Sequence, residues 1–199
     1  MSRFDNTSFK NPHFKDLAAF KDEYQRSISD SKYFLNKAKQ ELCWFHEPTR
    51  SNEGTFTSPR WFNDGKINIS YNCIDRHAEK TPNKTAIIWQ GDQQDQSEHI
   101  SYQILQEKVS KLANGLKEIG VAKGDRVCIY MPMIPEAAFA MFACMRIGAI
   151  HSVVFGGFSP EAIKSRILDS DCQFIVTTDE GTRGGRIIPL KSSVDIALA

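Results

Sequence analysis

Residues 124–179 read GDRVCIYMPMIPEAAFAMFACMRIGAIHSVVFGGFSPEAIKSRILDSDCQFIVTTD, and this stretch decides the fold. Three apolar runs of strand length stand in it: Arg126 to Met131, Ala149 to Val154 and Phe174 to Thr177. Between them, Pro135 stands where a helix opens and Gly148 where it closes. Ser159 caps a second helix that Pro160 begins. Strand–helix–strand–helix–strand with short loops predicts a parallel sheet with right-handed crossovers. Strands that are apolar on both faces suit a sheet covered by helices.

Working outward, Ala86-Ile87-Ile88-Trp89 and Glu98 to Tyr102 read as the two strands of a hairpin around the polar loop Gly91 to Ser97. Ser101 is placed to cap the next helix. In it Leu105, Val109, Leu112, Leu116 and Ile119 form one apolar stripe, and Gly120 ends it. Asn72 to Lys80 predicts a shorter helix with Cys73, Ile74 and His77 on related faces, stopped by Thr81-Pro82-Asn83. Further upstream the character changes, because residues 1–62 hold 8 of the 13 phenylalanines. Phe14, Leu17, Ala18, Phe20 and Tyr24 suggest one amphipathic helix. Lys32 to Leu42 suggests another, with Tyr33, Phe34, Leu35 and Ala38 inward. Pro48 to Pro59 is loop, and Trp61-Phe62 anchors the chain before the turn Asn63-Asp64-Gly65. The expected fold class is therefore α/β: a helical, aromatic-rich N-terminal arm, a β-hairpin and a β-α-β-α-β parallel unit. The expected boundary separates an extension, 1–66, from the α/β region, 67–199. The arm covers its own domain in one reading and binds a partner in the other.

Composition narrows the function. The chain has 199 residues, 25 Lys and Arg against 24 Asp and Glu, so it lacks the clustered basic charge that phosphate-backbone binding requires. Its five cysteines (43, 73, 128, 144, 172) contain no C-x-x-C, and its five histidines no H-x-x-x-H. This pattern suits buried free thiols in a reducing compartment and argues against a metal site. The longest apolar run, Ala137 to Met145, falls well short of the roughly 20 residues of a membrane span. No apolar stretch near the N-terminus suggests a secretory signal. G-x-x-x-x-G-K-[ST] and G-x-G-x-x-G do not occur. Asp75-Arg76-His77 has catalytic residue types, but neighbours on a helix point in different directions. A local ion pair and a capped histidine is the expectation there.

In parallel sheets ligands bind beyond the carboxyl ends of the strands, and two loops occupy that rim. Phe155-Gly156-Gly157-Phe158 lies between a strand and a helix. Its glycines let a backbone approach a ligand, and the following helix N-terminus suits an anion or amide; a tight turn needing positive φ is the alternative. Thr182-Arg183-Gly184-Gly185-Arg186 follows the third strand. Its two arginines can fork onto phosphates, and a solvated basic turn is the alternative.

The segments WFNDGKINISYNCIDRH (61–77), KTAIIWQGD (84–92), 120–163 with its IYMPMIPEA and HSVVFGGFS, and TRGGRIIPLKSSVDIAL (182–198) closely resemble the AMP-forming acetyl-coenzyme A synthetases of the acyl-adenylate-forming superfamily. The resemblance implies a cytoplasmic ligase whose small-molecule substrates are acetate, ATP and coenzyme A, with no nucleic-acid or membrane partner. In such a ligase acetate and ATP give acetyl-adenylate and pyrophosphate with magnesium. The coenzyme A thiol then releases AMP. It also implies that Arg183, Gly184, Gly185 and Arg186 bind the phosphorylated end of coenzyme A, and that Phe155, Gly156 and Gly157 line its approach. The family's phosphate loop of the type T-S-G-S-T-G-x-P-K-G does not occur in this sequence, nor do the family's acid pocket and its small C-terminal domain with the catalytic lysine. The expectation is thus an amino-terminal fragment that carries part of a coenzyme A site, assigns no catalytic residue and no metal ligand, and is inactive alone. A non-catalytic remnant, a weak coenzyme A-binding module and a propionate ligase are the alternatives.

Overall fold

A computed structural model describes residues 13–199; the first 12 residues of the expected arm lie outside the described residues. The described chain forms two compact units, divided between Ile67 and Asn68. In the first, α1 (Leu17–Ser29) opens on Asp16, whose side chain accepts from the Ala19 amide. It is followed by α2 (Tyr33–Glu41). The Tyr33 hydroxyl donates to Glu23 Oε1 at 2.7 Å and joins the two helices. A short strand, β1 (Trp44–His46), pairs antiparallel with β2 (Lys66–Ile67). Trp44 donates its indole N–H to the Ala38 carbonyl and meets Phe62 edge-on. Of the four residues expected inward on α2, only Leu35 is buried, and Phe34 is exposed. The aromatic face of α1 is also uncovered, with Phe20 stacked on Tyr24.

The second unit begins with an irregular turn. Tyr71–Asp75 is a π-helix that runs into α3 (Arg76–Lys80), where the sequence predicts a uniform helix. The wide turn leaves Cys73 exposed and Ile74 fully buried, so these two do not share a face. It also carries Asp75 inward. There Asp75 pairs with Arg146 at 2.6 Å and accepts from Gln106 Nε2 at 2.8 Å. The sequence predicts a local ion pair within Asp75-Arg76-His77; the pair Asp75 makes with Arg146 spans 71 residues, and Arg76 Nε donates to His77 Nε2 at 3.4 Å.

The hairpin is β3 (Thr85–Gln90) with β4 (Ser97–Ser101). Ser101 Oγ accepts from the Ile104 amide and starts α4 (Tyr102–Glu118). Leu105, Val109, Ala113 and Leu116 are its buried residues, while Ile119 is exposed because the helix has ended before it. Next come β5 (Arg126–Met131), α5 (Pro135–Ile147), β6 (Ile150–Phe155), α6 (Pro160–Ser170) and β7 (Phe174–Thr177). The three strands form one parallel sheet in the order β6-β5-β7. Gly148 closes α5 at φ +78°.

β5 is the centre of the unit, and its alternate residues serve two cores. Val127 and Ile129 pack with α4 and α5, and Cys128 and Tyr130 pack with residues of α6 and of α7 (Leu190–Leu198). Successive side chains of a strand point to opposite faces, so α5 and α6 lie on opposite sides of the sheet. The chain leaves β5 toward one face and leaves β6 toward the other. From β5 the chain steps to β6 on one side and then returns past β5 to β7 on the other, so the strand order reverses between β5 and β7, and the carboxyl ends there mark a topological switch point, where open α/β sheets bind ligands.

Candidate functional site

Both rim segments gather beyond the carboxyl ends of the three strands. Gly156 and Gly157 follow β6 directly. Neither has positive φ, so the tight-turn alternative does not explain them. Close packing does: a Cβ on Gly156 would lie 3.0 Å from the Met131 carbonyl oxygen, and one on Gly157 would lie 3.0 Å from the Phe155 ring. The loop is held from below by Tyr130. This residue is buried at the end of β5, and its hydroxyl donates to the Phe158 carbonyl at 3.0 Å. A buried tyrosine needs a partner for its polar tip, and here the partner fixes the glycine loop. The sequence shows Tyr130 only as one more apolar member of RVCIYM.

The helix that follows is a weaker anion site than its sequence suggests. Ser159 Oγ already accepts from the Ala162 amide. Glu161 sits in the first turn, and its carboxyl is held below the usual carboxylate range, chiefly by its own backbone N–H and then by the Ser159 hydroxyl. Negative charge at the N-terminus of α6 is therefore supplied from within the chain.

The Arg183–Arg186 segment is not the simple loop its sequence suggests. Gly181–Arg183 (β8) pairs antiparallel with Arg186–Ile188 (β9), and Gly184 and Gly185 make the two-residue turn. Both glycines have positive φ, +58° and +72°, the conformation that two-residue hairpin turns of this type demand. Arg183 and Arg186 are consequently direct cross-strand partners. Like charges opposite one another destabilise a strand pair. Part of the repulsion is relieved sideways: the Arg183 guanidinium lies over the Phe155 ring, 4.8 Å from its centroid. Phe155 meets Phe158 edge-on at 5.8 Å, and the Arg166 guanidinium lies over the Phe158 ring, 4.7 Å from its centroid. The two rim segments thus touch through Arg183 and Phe155.

Beneath them is a cavity of about 890 Å³, lined by apolar side chains including Met131, Met133, Ala137 and Phe155, with Asp92 and Arg183 among the polar residues. The β3–β4 hairpin forms one wall. Its Trp89 indole donates to the Met133 carbonyl at 2.7 Å. The β8–β9 hairpin is packed closely against the neighbouring Pro132: a Cβ on Gly181 would lie 2.7 Å from Pro132 Cβ. The hairpins meet where the Gly185 amide donates to Asp92 Oδ2 at 3.2 Å. Asp92 lies in the stretch expected only as a polar loop, and no sequence signal marks it. In the two cores, on opposite faces of the sheet, burial pushes the thiols of Cys128 and Cys144 up to about 11, so both are protonated and unreactive near neutrality. Among the described residues no three His, Cys, Asp or Glu side chains converge as metal ligands. None of the described helices is long and apolar enough to cross a membrane.

Known proteins resemble this chain over both units. The family described as AMP-binding enzyme matches residues 74–196, and the one described as acetyl-coenzyme A synthetase N-terminus matches residues 20–73. Acetyl-coenzyme A synthetase of Gamma-proteobacterium EBAC31A08 is 55% identical over 189 residues, which are 94% of this chain and 30% of that protein. Proteins of the same name from Bradyrhizobium diazoefficiens and Halorhodospira halophila are 52% and 53% identical, over 92% and 90% of this chain. The chain spans 28–30% of the length of these three relatives.

Proposed function

We propose, for a chain that belongs to the family of AMP-binding enzymes, that it is the coenzyme A-entry part of an AMP-forming acetate–CoA ligase. The whole reaction converts acetate, ATP and coenzyme A into acetyl-CoA, AMP and pyrophosphate through acetyl-adenylate. Residues 67–199 act as the opening part of the AMP-binding domain, and residues 1–66 as the extension before it. In this reading Arg183, Gly184, Gly185 and Arg186 take phosphates of coenzyme A, while Phe155, Gly156 and Gly157 line the path of its pantetheine arm. The ligase works in the cytoplasm.

One observation carries the coenzyme A site: two arginines stand directly opposite each other across a Gly-Gly turn, at the edge of an apolar cavity at the switch point. The unfavourable arginine pair becomes favourable once an anion lies between or over the guanidinium groups, each of which presents a fork of donors. The glycines leave the turn backbone bare, because nothing lies within 4 Å of either Cβ position. An apolar cavity with a cationic lip fits a ligand with a phosphorylated head and a slender, weakly polar arm. The printed names of the relatives support the acetate reading.

No adenylation chemistry is assigned to these residues. The sequence contains no Ser/Thr/Gly-rich phosphate loop, and phosphoryl chemistry depends on such an electrostatic clamp. Magnesium finds no converging ligands among the described residues, and no step is routed through it here. The 199-residue chain is expected to show no acetate-dependent ATP–pyrophosphate exchange, and measurable exchange would overturn that part. The site is tested in an enzyme that carries this chain in front of the remaining length of a relative. Arg183→Ala with Arg186→Ala weakens coenzyme A binding and leaves adenylate formation intact. Equal loss in both half-reactions refutes the assignment.

A further inference from the structure

We infer that Asp92 is an intramolecular competitor for the phosphate subsite at the Gly184-Gly185 turn, so that coenzyme A gains the Gly185 amide only by displacing this carboxylate. The inference rests on the proposed coenzyme A site and adds a residue that limits its affinity.

The geometry begins with the turn. A glycine amide beside two opposed arginines is a donor that favours an anion. In this structure the Gly185 amide is engaged by an anion already: it donates to Asp92 Oδ2 at 3.2 Å, across 93 residues of sequence. The carboxylate is delivered there by an ordered loop. The Gly91 amide donates to the Gln96 carbonyl at 2.7 Å, and the Gln96 amide to the Gln93 carbonyl at 3.1 Å. Gln90 Nε2 ties down the carbonyls of Gln93 and Gln96 at 2.8 and 2.9 Å. Trp89 anchors the same hairpin to the Met133 carbonyl after β5. Asp92 is therefore held at the turn by a supported loop, and its bond to Gly185 joins two walls of the cavity.

Charge decides the competition. A carboxylate brings one negative charge. A phosphate monoester brings about −1.5 to −2 and three acceptor oxygens, enough to engage the amide and an arginine together. A phosphorylated ligand can thus displace Asp92, whereas an uncharged one has no reason to. Displacement consumes part of the binding free energy, and the carboxylate remains nearby as a like charge. Asp92 holds phosphate binding below what the bare turn would give and favours release.

The test is calorimetric titration of the completed enzyme described above, and of its Asp92→Ala and Asp92→Asn variants, with coenzyme A, and with pantetheine, which has no phosphate. Asp92→Ala removes acceptor and charge, and coenzyme A is expected to bind about three- to tenfold more tightly. Asp92→Asn keeps an acceptor oxygen and falls between, which guards against a loop disturbed by alanine. Pantetheine binding is expected to be the same in all three proteins. Unchanged or weaker coenzyme A binding in both variants overturns the inference and leaves the coenzyme A site standing. An equal gain for pantetheine also overturns it, because a looser cavity then explains the effect. If no protein of the set binds coenzyme A, the reading of the turn as its site fails, and the inference fails with it.

Discussion

Replacing Arg146 by methionine tests how the second unit is held together. Arg146 stands in the last turn of α5, and its Nη2 donates to Asp75 Oδ2 at 2.6 Å. The two side chains are 25% and 11% exposed. Methionine keeps most of the side-chain volume, so packing is little changed, but the Asp75 carboxylate loses its counter-charge. Breaking a fully buried ion pair from one side costs about 3–5 kcal/mol. Here the cost is smaller, because Asp75 retains Gln106 Nε2 at 2.8 Å and Arg146 is partly in water. About 2–3 kcal/mol is expected after that discount, and for a unit of this size that is a fall in Tm of roughly 10 °C. The assay is urea and thermal unfolding followed by circular dichroism, run as a cycle with Asp75→Asn. In the double variant the carboxylamide can still accept from Gln106 and no charge is stranded, so the losses should fall short of additive by about 2 kcal/mol. Strictly additive losses, or a Tm for Arg146→Met within a degree or two of the parent, would refute the view that this pair ties the π-helix to α5.

Two further outcomes follow from the rim and the core. Gly185→Ala adds a Cβ that meets nothing within 4 Å but sits at φ +72°, so it should cost only the left-handed strain of about 1 kcal/mol, and Gly185→Asn less. Gly181→Ala drives a Cβ to 2.7 Å from Pro132 Cβ and should cost about 1–3 kcal/mol; equal melting temperatures for all three variants would refute the distinction between strain and close packing. The Cys128 and Cys144 thiols are pushed by burial from 9.0 to about 11. The fold thus holds two protons that the unfolded chain releases, and the associated stability is full below pH 9 and lost as the pH rises through 11. Chemical unfolding from pH 8 to 11 should show a loss of about 1 kcal/mol per pH unit for each thiol. The slope should flatten in Cys128→Ala, and an unchanged slope refutes the attribution.

The central sheet was legible in the sequence because its signals are local. A proline and a serine at helix starts, glycines at helix ends, and apolar runs of strand length all act within a few residues. The structure keeps each of those elements between Arg126 and Thr177. What could not be read is what long-range contacts dictate. Tyr71–Asp75 winds as a π-helix, which puts Asp75 on an arginine 71 residues away, and no spacing within NISYNCIDRH indicates that. The helical reading of Lys32 to Leu42 puts Phe34 inward beside Leu35, but α2 turns only Leu35 fully inward.

At the rim the same division separates residue type from arrangement. Glycine pairs at 156–157 and 184–185 look alike in sequence, yet they serve opposite needs. The first pair has ordinary φ and is required by neighbours about 3 Å from each Cβ position. The second has positive φ and empty space around it. That difference assigns them different work. A pair required by close packing builds a wall, and Tyr130 holds that wall by the Phe158 carbonyl. A pair required by backbone conformation builds an open turn, and its Gly185 amide has drawn a carboxylate from a hairpin 93 residues away. Substitutions in the first pair should therefore change the shape and stability of the cavity. Those in the second should change anion affinity while the cavity keeps its form, and a Gly156→Ala variant whose only defect is in anion binding would contradict this assignment.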